Sequence, residues 1–143
     1  ADAYRQQGRD AEAEKLLRRG LTLLPRAPDL HHVLGLLLVR KGDKAAALKE
    51  LGVAAKLAPD NARYSYVYAV GLYSAGRRGE GLSALRAAEA RHPYDLEILS
   101  TLVSMNREAG KPKDALPYAR KIAEVLPDDP GVKQLIAELE RAN

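Results

Sequence analysis

Apolar side chains recur at intervals of three and four residues along most of the chain, which is the spacing of amphipathic helices. The clearest pair of such segments covers residues 28–41 and 44–57. No stretch alternates between polar and apolar residues for long enough to indicate a β-strand. The pattern therefore predicts an all-α protein. The apolar positions are Leu34, Leu37 and Leu38 in the first segment and Leu48, Leu51 and Ala55 in the second.

Glycine and proline residues divide the chain at a constant interval of 34 residues. A glycine readily adopts the left-handed conformation that ends a helix, whereas a proline cannot continue one. Each interval therefore predicts two antiparallel helices, with the glycine between them and the proline after the second. The glycines are Gly8, Gly42, Gly76 and Gly110, and the prolines are Pro25, Pro59, Pro93 and Pro127.

Within residues 28–61, large residues, a Leu-Gly pair, small residues and a closing proline stand at His31, Leu34, Gly35, Leu38, Ala47, Leu51 and Pro59. This combination resembles the signature of the tetratricopeptide-repeat family. Residues 62–95 match this signature closely, and residues 96–129 match it more loosely. The resemblance implies a right-handed α-solenoid, in which helix pairs stack into a superhelix. Small residues expected where helices cross closely are Gly35, Ala47, Ala54, Ala69, Gly81 and Ala88.

The resemblance divides the chain into one repeat domain of about four units and a final helix. Residues 1–27 form a truncated first unit, and residues 130–143 form the capping helix. Because Ala1 falls within what should be a first helix, we expect this chain to be the C-terminal part of a longer protein. The frequent alanine, arginine, leucine and proline residues are compatible with a bacterial source. The complete units are 28–61, 62–95 and 96–129.

The composition excludes several classes of protein and site. The chain has no cysteine, so it has neither disulfides nor thiolate metal ligands, and the bacterial cytoplasm and periplasm are both compatible with it. Its 23 basic and 19 acidic residues leave a net charge of +4, and the basic residues form separate pairs rather than a stripe. We therefore expect no nucleic-acid binding. No apolar run approaches the ~20 residues of a membrane-spanning helix, which predicts no membrane insertion.

Candidate residues for catalysis or metal binding are few. His31 and His32 are adjacent and point about 100° apart on a helix, so they cannot ligate one metal ion from one face. Ser100 and Ser104 lie one helical turn apart, but no histidine is predicted near them to act as a base. The glycines are single rather than clustered as in a phosphate-binding loop. The sequence therefore predicts a protein that is not an enzyme and that holds no cofactor or metal.

In the family that the chain resembles, the first helix of each unit lines the concave side, and helical phase then assigns side chains to this groove. Tyr66 and Tyr73 share one face, which we expect to point into the groove, while Tyr64 and Tyr68 share another and pack between helices. A tyrosine offers a large contact area and a hydroxyl group. The alternative is that Tyr66 and Tyr73 only fill space between adjacent units. The predicted partner-binding residues are His32, Leu36, Val39, Arg40, Arg63, Tyr66, Val70, Tyr73, Ser100, Ser104 and Arg107.

The predicted function is binding of a protein or peptide partner, without catalysis. An extended or short helical segment would lie in the groove on the apolar side chains, flanked by contacts to Arg40, Arg63 or Arg107. The alternative is a structural spacer or a self-association domain within a larger protein. This alternative rests on the truncated first unit, which is expected to expose apolar side chains that upstream residues or a second copy of the chain would cover. These side chains are Tyr4, Leu16 and Leu17.

Overall fold

A computed structural model describes residues 2–142, and within this range the chain forms eight α-helices and no β-strand. The all-α prediction is confirmed. The helices are α1 (Asp2–Leu23), α2 (Pro28–Lys41), α3 (Lys44–Leu57), α4 (Ala62–Ser74), α5 (Arg78–Arg91), α6 (Leu96–Glu108), α7 (Pro112–Val125) and α8 (Pro130–Arg141).

Three of the periodic glycines end the first helix of a pair. Gly42, Gly76 and Gly110 have φ angles of 87°, 88° and 74°, which lie in the left-handed region that favours glycine. At the first of them, the amide of Asp43 donates to the carbonyl of Leu38 at 3.0 Å, so the chain reverses while satisfying a terminal carbonyl group of α2. The short turns between paired helices therefore follow from the glycine spacing.

Polar side chains begin the helices that follow the prolines. Asn61, Asp95 and Asp129 each accept a hydrogen bond from the backbone amide three residues later, at 3.0 to 3.1 Å. Such a bond satisfies an amide that has no partner within the helix. The start of α4, α6 and α8 is thereby fixed by a side chain of the preceding turn.

Gly8 does not follow the same rule. α1 continues through it without a turn, although Gly8 lies 34 residues before Gly42. Residues 2–7 continue α1 on the N-terminal side of Gly8. These residues are exposed, as is Gly8, and Ala1 lies outside the described residues.

Each helix packs mainly on its neighbours along the chain, and the two helices of a pair pack more extensively than helices of adjacent pairs. The described residues have three apolar clusters instead of one central core: at α2 and α3, across α4 to α6, and across α6 to α8. This sequential packing is that of an α-solenoid, as predicted. The largest fully buried apolar side chains of the clusters, in chain order, are Leu34, Leu85, Ile98, Leu99, Leu102 and Leu139.

A close crossing of α4 and α5 depends on Gly81. A Cβ atom at this position would lie 2.7 Å from the backbone nitrogen of Tyr73 and 2.8 Å from the carbonyl oxygen of Ala69. Both obstacles are backbone atoms, which cannot rotate away as a side chain does. Gly81 therefore sets the distance between these two helices, and with it the position of Tyr73.

Candidate partner-binding surface

The first helices of the three pairs, α2, α4 and α6, lie side by side and form one face, which we call the first-helix face. The ring of His32 on α2 stacks on the ring of Tyr64 on α4, with 4.3 Å between centroids. On the other side of α4, Arg63 Nη1 lies 2.6 Å from Glu97 Oε1 of α6. These contacts join all three helices into a continuous surface.

An aliphatic stripe runs along α2 on this face. Val33, Leu36 and Val39 follow one another at intervals of three residues, and their exposed fractions are 48%, 45% and 52%. Leu36 and Val39 belong to the predicted binding set, and Val33 extends it by one helical turn. Adjacent apolar side chains that remain half exposed are typical of a surface that contacts another molecule.

Tyr66 and Tyr73 are half-buried and connect α4 to α6. Thr101 donates a hydrogen bond to the hydroxyl oxygen of Tyr66 at 3.4 Å, and the hydroxyl of Tyr73 donates to Glu108 at 3.0 Å. The bond to Glu108 raises the pKa of Tyr73 above its usual value, and burial and the charge of Glu108 act in the same direction. Both rings also pack against the apolar cluster of α4 to α6. The two tyrosines therefore bind neighbouring units together, and part of each ring remains on the surface.

Three predicted arginines make ion pairs within the chain. Arg40 binds Asp10, with 2.6 Å between Nη2 and Oδ1, and Arg63 binds Glu97. Arg107 lies 3.7 Å from Glu138 of α8. The arginine side chains are about half exposed or more, and exposed ion pairs contribute little to stability. Arg63 and Arg107 can therefore exchange their carboxylates for those of a partner, whereas Arg40 is held by Asp10, whose side chain is only 8% exposed.

His32 is in a packed environment rather than on the surface. Its exposed fraction is 8%, and its Nδ1 atom has no hydrogen-bond partner among the described residues. Burial lowers the pKa of His32, and the positive charge of Arg63 lowers it further, which favours the neutral ring. The binding role predicted for His32 requires accessibility that the structure does not provide. Helical phase did not anticipate that Tyr64 of the next unit would cover it.

The face becomes polar towards α6. Ser100 and Ser104 are exposed, and the hydroxyl of Ser100 donates to the backbone carbonyl of Glu97 at 3.2 Å. Val70 of α4 is half-buried against the central cluster. The first-helix face thus changes from aliphatic on α2, through aromatic on α4, to small and polar on α6.

The tyrosines on the other side of α4 pack between helices. Tyr64 stacks on His32, as described above, and the ring of Tyr68 lies against Gly52 of α3, whose Cβ position is 3.0 Å from Tyr68 Cε1. The division of the α4 tyrosines into two sets by helical phase therefore agrees with their surroundings in the structure.

Other kinds of site were also sought within residues 2–142. This part of the chain has no group of three or more histidine, aspartate or glutamate side chains placed to hold a metal ion. Over the same range, every helix is too short or too polar to cross a membrane.

Comparisons with known sequences agree with the repeat pattern. Two family models, both described as tetratricopeptide repeat, match residues 1–37 and 32–95. A TPR repeat-containing protein of Pseudomonas aeruginosa is 45% identical over 53 residues, which are 37% of this chain and 22% of that protein. The matched part therefore spans about a fifth of the length of this curated relative.

Solved structures with the same fold include three that cover nearly all of the chain. A tetratricopeptide repeat protein from Parabacteroides merdae superposes with a TM-score of 0.80 at 20% identity, over 96% of this chain and 55% of that one. MamA gives a TM-score of 0.75 at 18% identity, over 99% and 77% of the two chains. PilF of Pseudomonas aeruginosa gives 0.72 at 25% identity, over 96% and 63%.

Proposed function

The chain belongs to the tetratricopeptide-repeat family, and we propose that its first-helix face is a concave groove that holds an extended or short helical segment of a partner protein. Repeats of this family mediate protein–protein interaction, typically without catalysis. The observation that supports this proposal is the half-exposed aliphatic stripe of Val33, Leu36 and Val39.

The stripe would provide most of the binding free energy. Burying the exposed half of each of its three side chains contributes ~1–2 kcal/mol per residue, at ~25 cal/mol per Å² of apolar surface. A segment with two or three apolar side chains on one side would cover the stripe. Ser100 and Ser104 would offer hydroxyl groups to its backbone, and Arg63 and Arg107 would attract carboxylates.

Tyr66 and Tyr73 would contribute chiefly by holding the face rigid. Their hydroxyl groups are already bonded to Thr101 and Glu108, so a partner would contact the ring edges rather than the hydroxyls. A surface that is ordered before binding loses less conformational entropy when the partner arrives. Substitution of these tyrosines would therefore disturb folding as well as binding, and the better test lies on α2.

The test uses peptides selected on the purified protein from a random display library, then made synthetically and titrated by fluorescence anisotropy. We expect the Leu36→Gln, Val39→Thr double variant to weaken binding at least about tenfold, or ~1.4 kcal/mol. The matched control is Val125→Thr, Leu126→Gln. It alters two apolar residues of similar exposure, 39% and 38%, at the end of α7.

Amide chemical shifts in NMR spectra would locate the bound peptide. Shifts concentrated on α2, α4 and α6, together with selective loss of affinity in the α2 variant, support the proposal. Equal affinity of all selected peptides for the α2 variant and its control would contradict it. Circular dichroism establishes that both variants are folded.

Self-association is a second candidate function, because α1 presents a separate apolar surface. The exposed fractions are 78% for Tyr4, 63% for Leu16, 76% for Leu23 and 61% for Leu24. The exposure predicted for Leu17 is wrong, since Leu17 lies on the side of α1 that packs against the α2–α3 cluster. A second copy of the chain would cover the remaining residues.

Sedimentation velocity over a range of concentrations tests this candidate. Self-association through α1 predicts a dimer at high concentration that is lost in the Leu16→Gln, Leu23→Gln variant. The Val125→Thr, Leu126→Gln variant again serves as the control and should remain a dimer. A wild-type chain that stays monomeric at millimolar concentration would rule out this function for the residues present.

A further inference from the structure

A cleft of about 550 Å³ lies away from the first-helix face, between α3 and α5. Tyr68 and Ser65 of α4 form its floor, and its walls consist largely of small residues, including Gly52, Ala84 and Ala87. Its volume is within the ~300–1,000 Å³ of ordinary ligand-binding clefts. We propose that this cleft is a second binding site, which takes an acidic peptide segment carrying a bulky apolar side chain.

The cleft lies at the junction of α3 and α5, which are the second helices of adjacent pairs. The next such junction, between α5 and α7, shows why the cleft is open. There Glu89 of α5 and Lys121 of α7 form an ion pair at 2.6 Å across the gap between the second helices. The hydrogen bond that Lys121 donates to Glu89 raises the pKa of Lys121. One repeat earlier, 34 residues back, the equivalent positions are Ala55 and Ala87, which cannot bridge the gap. The ion pair that joins α5 to α7 therefore has no equivalent between α3 and α5.

Side-chain volume follows the same division. At the α3–α5 junction, Gly52 and Ala84 line the cleft. Their equivalents one repeat later are Arg86 and Tyr118, and Tyr118 packs against apolar clusters on both sides of α6. The cleft thus results from small residues at several positions of the α3–α5 junction. A single small side chain would not account for its volume.

The charges around the cleft are positive. Lys49 and Lys56 lie seven residues apart on the same side of α3, and Arg91 lies on the opposite wall. Neither lysine forms an ion pair with a residue in the range 2–142, and no residue that lines the cleft is acidic. Arg91 binds Asp60, whose side chain is 92% exposed. Carboxylates of a bound segment would meet two free ammonium groups and one exchangeable arginine.

An apolar side chain of the segment would occupy the floor. The ring of Tyr68 is half-buried, and Val53 and Ala84 lie beside it. Apolar atoms make up most of this surface, so burial of an aliphatic or aromatic side chain would provide affinity while the lysines select for acidic neighbours. One repeat later, Lys49 and Lys56 are replaced by Ser83 and Ala90, so the charge pattern belongs to this junction.

The closing variant Ala55→Glu, Ala87→Lys tests the proposal directly. It installs, at the α3–α5 junction, the ion pair that the protein already uses between α5 and α7, and it leaves the net charge unchanged. A second variant, Lys49→Gln, Lys56→Gln, removes the free charges. Its matched control is Lys15→Gln, Lys133→Gln, which removes two exposed lysines outside the cleft.

The probe is a fluorescein-labelled peptide selected on the wild-type protein from a displayed library restricted to Asp, Glu, Leu, Phe and Gly. We expect the closing variant and the Lys49→Gln, Lys56→Gln variant each to weaken binding at least tenfold, and added salt to weaken it in the wild type. The control and the Leu36→Gln, Val39→Thr variant should bind as the wild type does.

Three outcomes would overturn the proposal. The first is that no acidic peptide is enriched. The second is equal affinity for the closing variant and the wild type. The third is displacement of the peptide by phosphatidylglycerol vesicles that bind more tightly, which would assign the cleft to a lipid surface. Because the α2 variant is measured in parallel, failure here is distinguishable from failure of the first-helix face to bind.

Discussion

The guanidinium of Arg40 donates two hydrogen bonds to the carboxylate of Asp10, at 2.6 and 3.3 Å, and so joins the end of α2 to α1. Only 8% of the Asp10 side chain is exposed, and Gln6 donates a further hydrogen bond to it at 2.9 Å. The bond from Arg40 lowers the pKa of Asp10 against the opposing effect of desolvation. Arg40 therefore has a structural role in addition to the binding role predicted for it.

Asp10→Asn should make the protein less stable near neutral pH and leave it nearly unchanged in acid. A carboxyl group whose pKa is lowered by folding stabilises the folded state above its unfolded pKa, and this contribution is lost as the pH falls through the folded value. Urea unfolding at about pH 7 and below about pH 3 would measure the difference. Asp128→Asn, at an exposed position, is the control. A constant difference between wild type and Asp10→Asn at all pH values would contradict the assignment.

His31 joins the turn after α1 to α3. Its Nδ1 atom lies 2.6 Å from Glu50 Oε2, and its Nε2 atom lies 2.8 Å from the carbonyl oxygen of Pro25. Both partners are acceptors, so only the doubly protonated ring donates to both. Burial acts to lower the pKa of His31, but the bonds to Glu50 and Pro25 and the charge of Glu50 outweigh it and raise the pKa.

The His31 contacts predict a loss of stability on the alkaline side. A raised pKa means that the contribution is fully present below the unfolded value of ~6.5 and is lost as the pH rises through the folded value. Urea midpoints measured between about pH 6 and pH 9 should therefore fall more steeply in the wild type than in His31→Gln. His92→Gln, which removes a single longer contact of 3.3 Å to Pro59, is the control variant. If the urea midpoints of wild type and His31→Gln change with pH at the same rate, the doubly protonated form of His31 does not stabilise the folded state.

Two glycine substitutions should have opposite effects. Gly81→Ala places a methyl group against backbone atoms at 2.7 and 2.8 Å and should destabilise the protein by ~1–3 kcal/mol. Gly8→Ala lies within α1, where a Cβ atom meets no described atom within 4 Å beyond the backbone of its own helix, and should stabilise by up to ~1 kcal/mol through helix propensity. Thermal and urea unfolding measure both. A neutral Gly81→Ala would mean that α4 and α5 separate easily.

Tyr73 separates the contribution of a ring from that of a hydroxyl. Tyr73→Phe keeps the packing against α4 to α6 and removes only the exposed bond to Glu108, so the change in stability should be small. Tyr73→Ala removes the ring as well and should lower the urea midpoint considerably more. If both variants have the urea midpoint of the wild type, the Tyr73 ring does not stabilise the packing of α4 to α6. Tyr73 would then act chiefly as a contact residue on the first-helix face.

Helix ends could be predicted from sequence because their causes are local. Gly42 requires a left-handed backbone, and Asp95 needs only an amide three residues later, so each can be recognised within a few positions. Gly8 has the same spacing, yet α1 continues through it, and spacing alone does not reveal this. The small residue Gly81 was expected at a close crossing, and it lies at one.

The candidate surface was less predictable because it depends on how adjacent units cover one another. Helical phase indicates the side of a helix on which Leu36 and His32 lie, but not the size of the neighbouring side chain. Tyr64 covers His32 across 32 positions of sequence, while Leu36 remains half exposed. The cleft beside Tyr68 was not anticipated, although the replacement of Glu89 and Lys121 by Ala55 and Ala87 one repeat earlier is visible in the sequence.

The packing of each helix on its neighbours along the chain also determines the order in which the helices unfold. Within residues 2–142, the helices at either end of the stack pack on neighbours from one side only, so they are expected to unfold first. α8 packs on α6 and α7, so its loss leaves the distant α2 and α4 in place. Amide hydrogens near Leu139 should thus exchange with solvent sooner than those near Leu51, and the aliphatic stripe on α2 would persist in molecules in which α8 has unfolded.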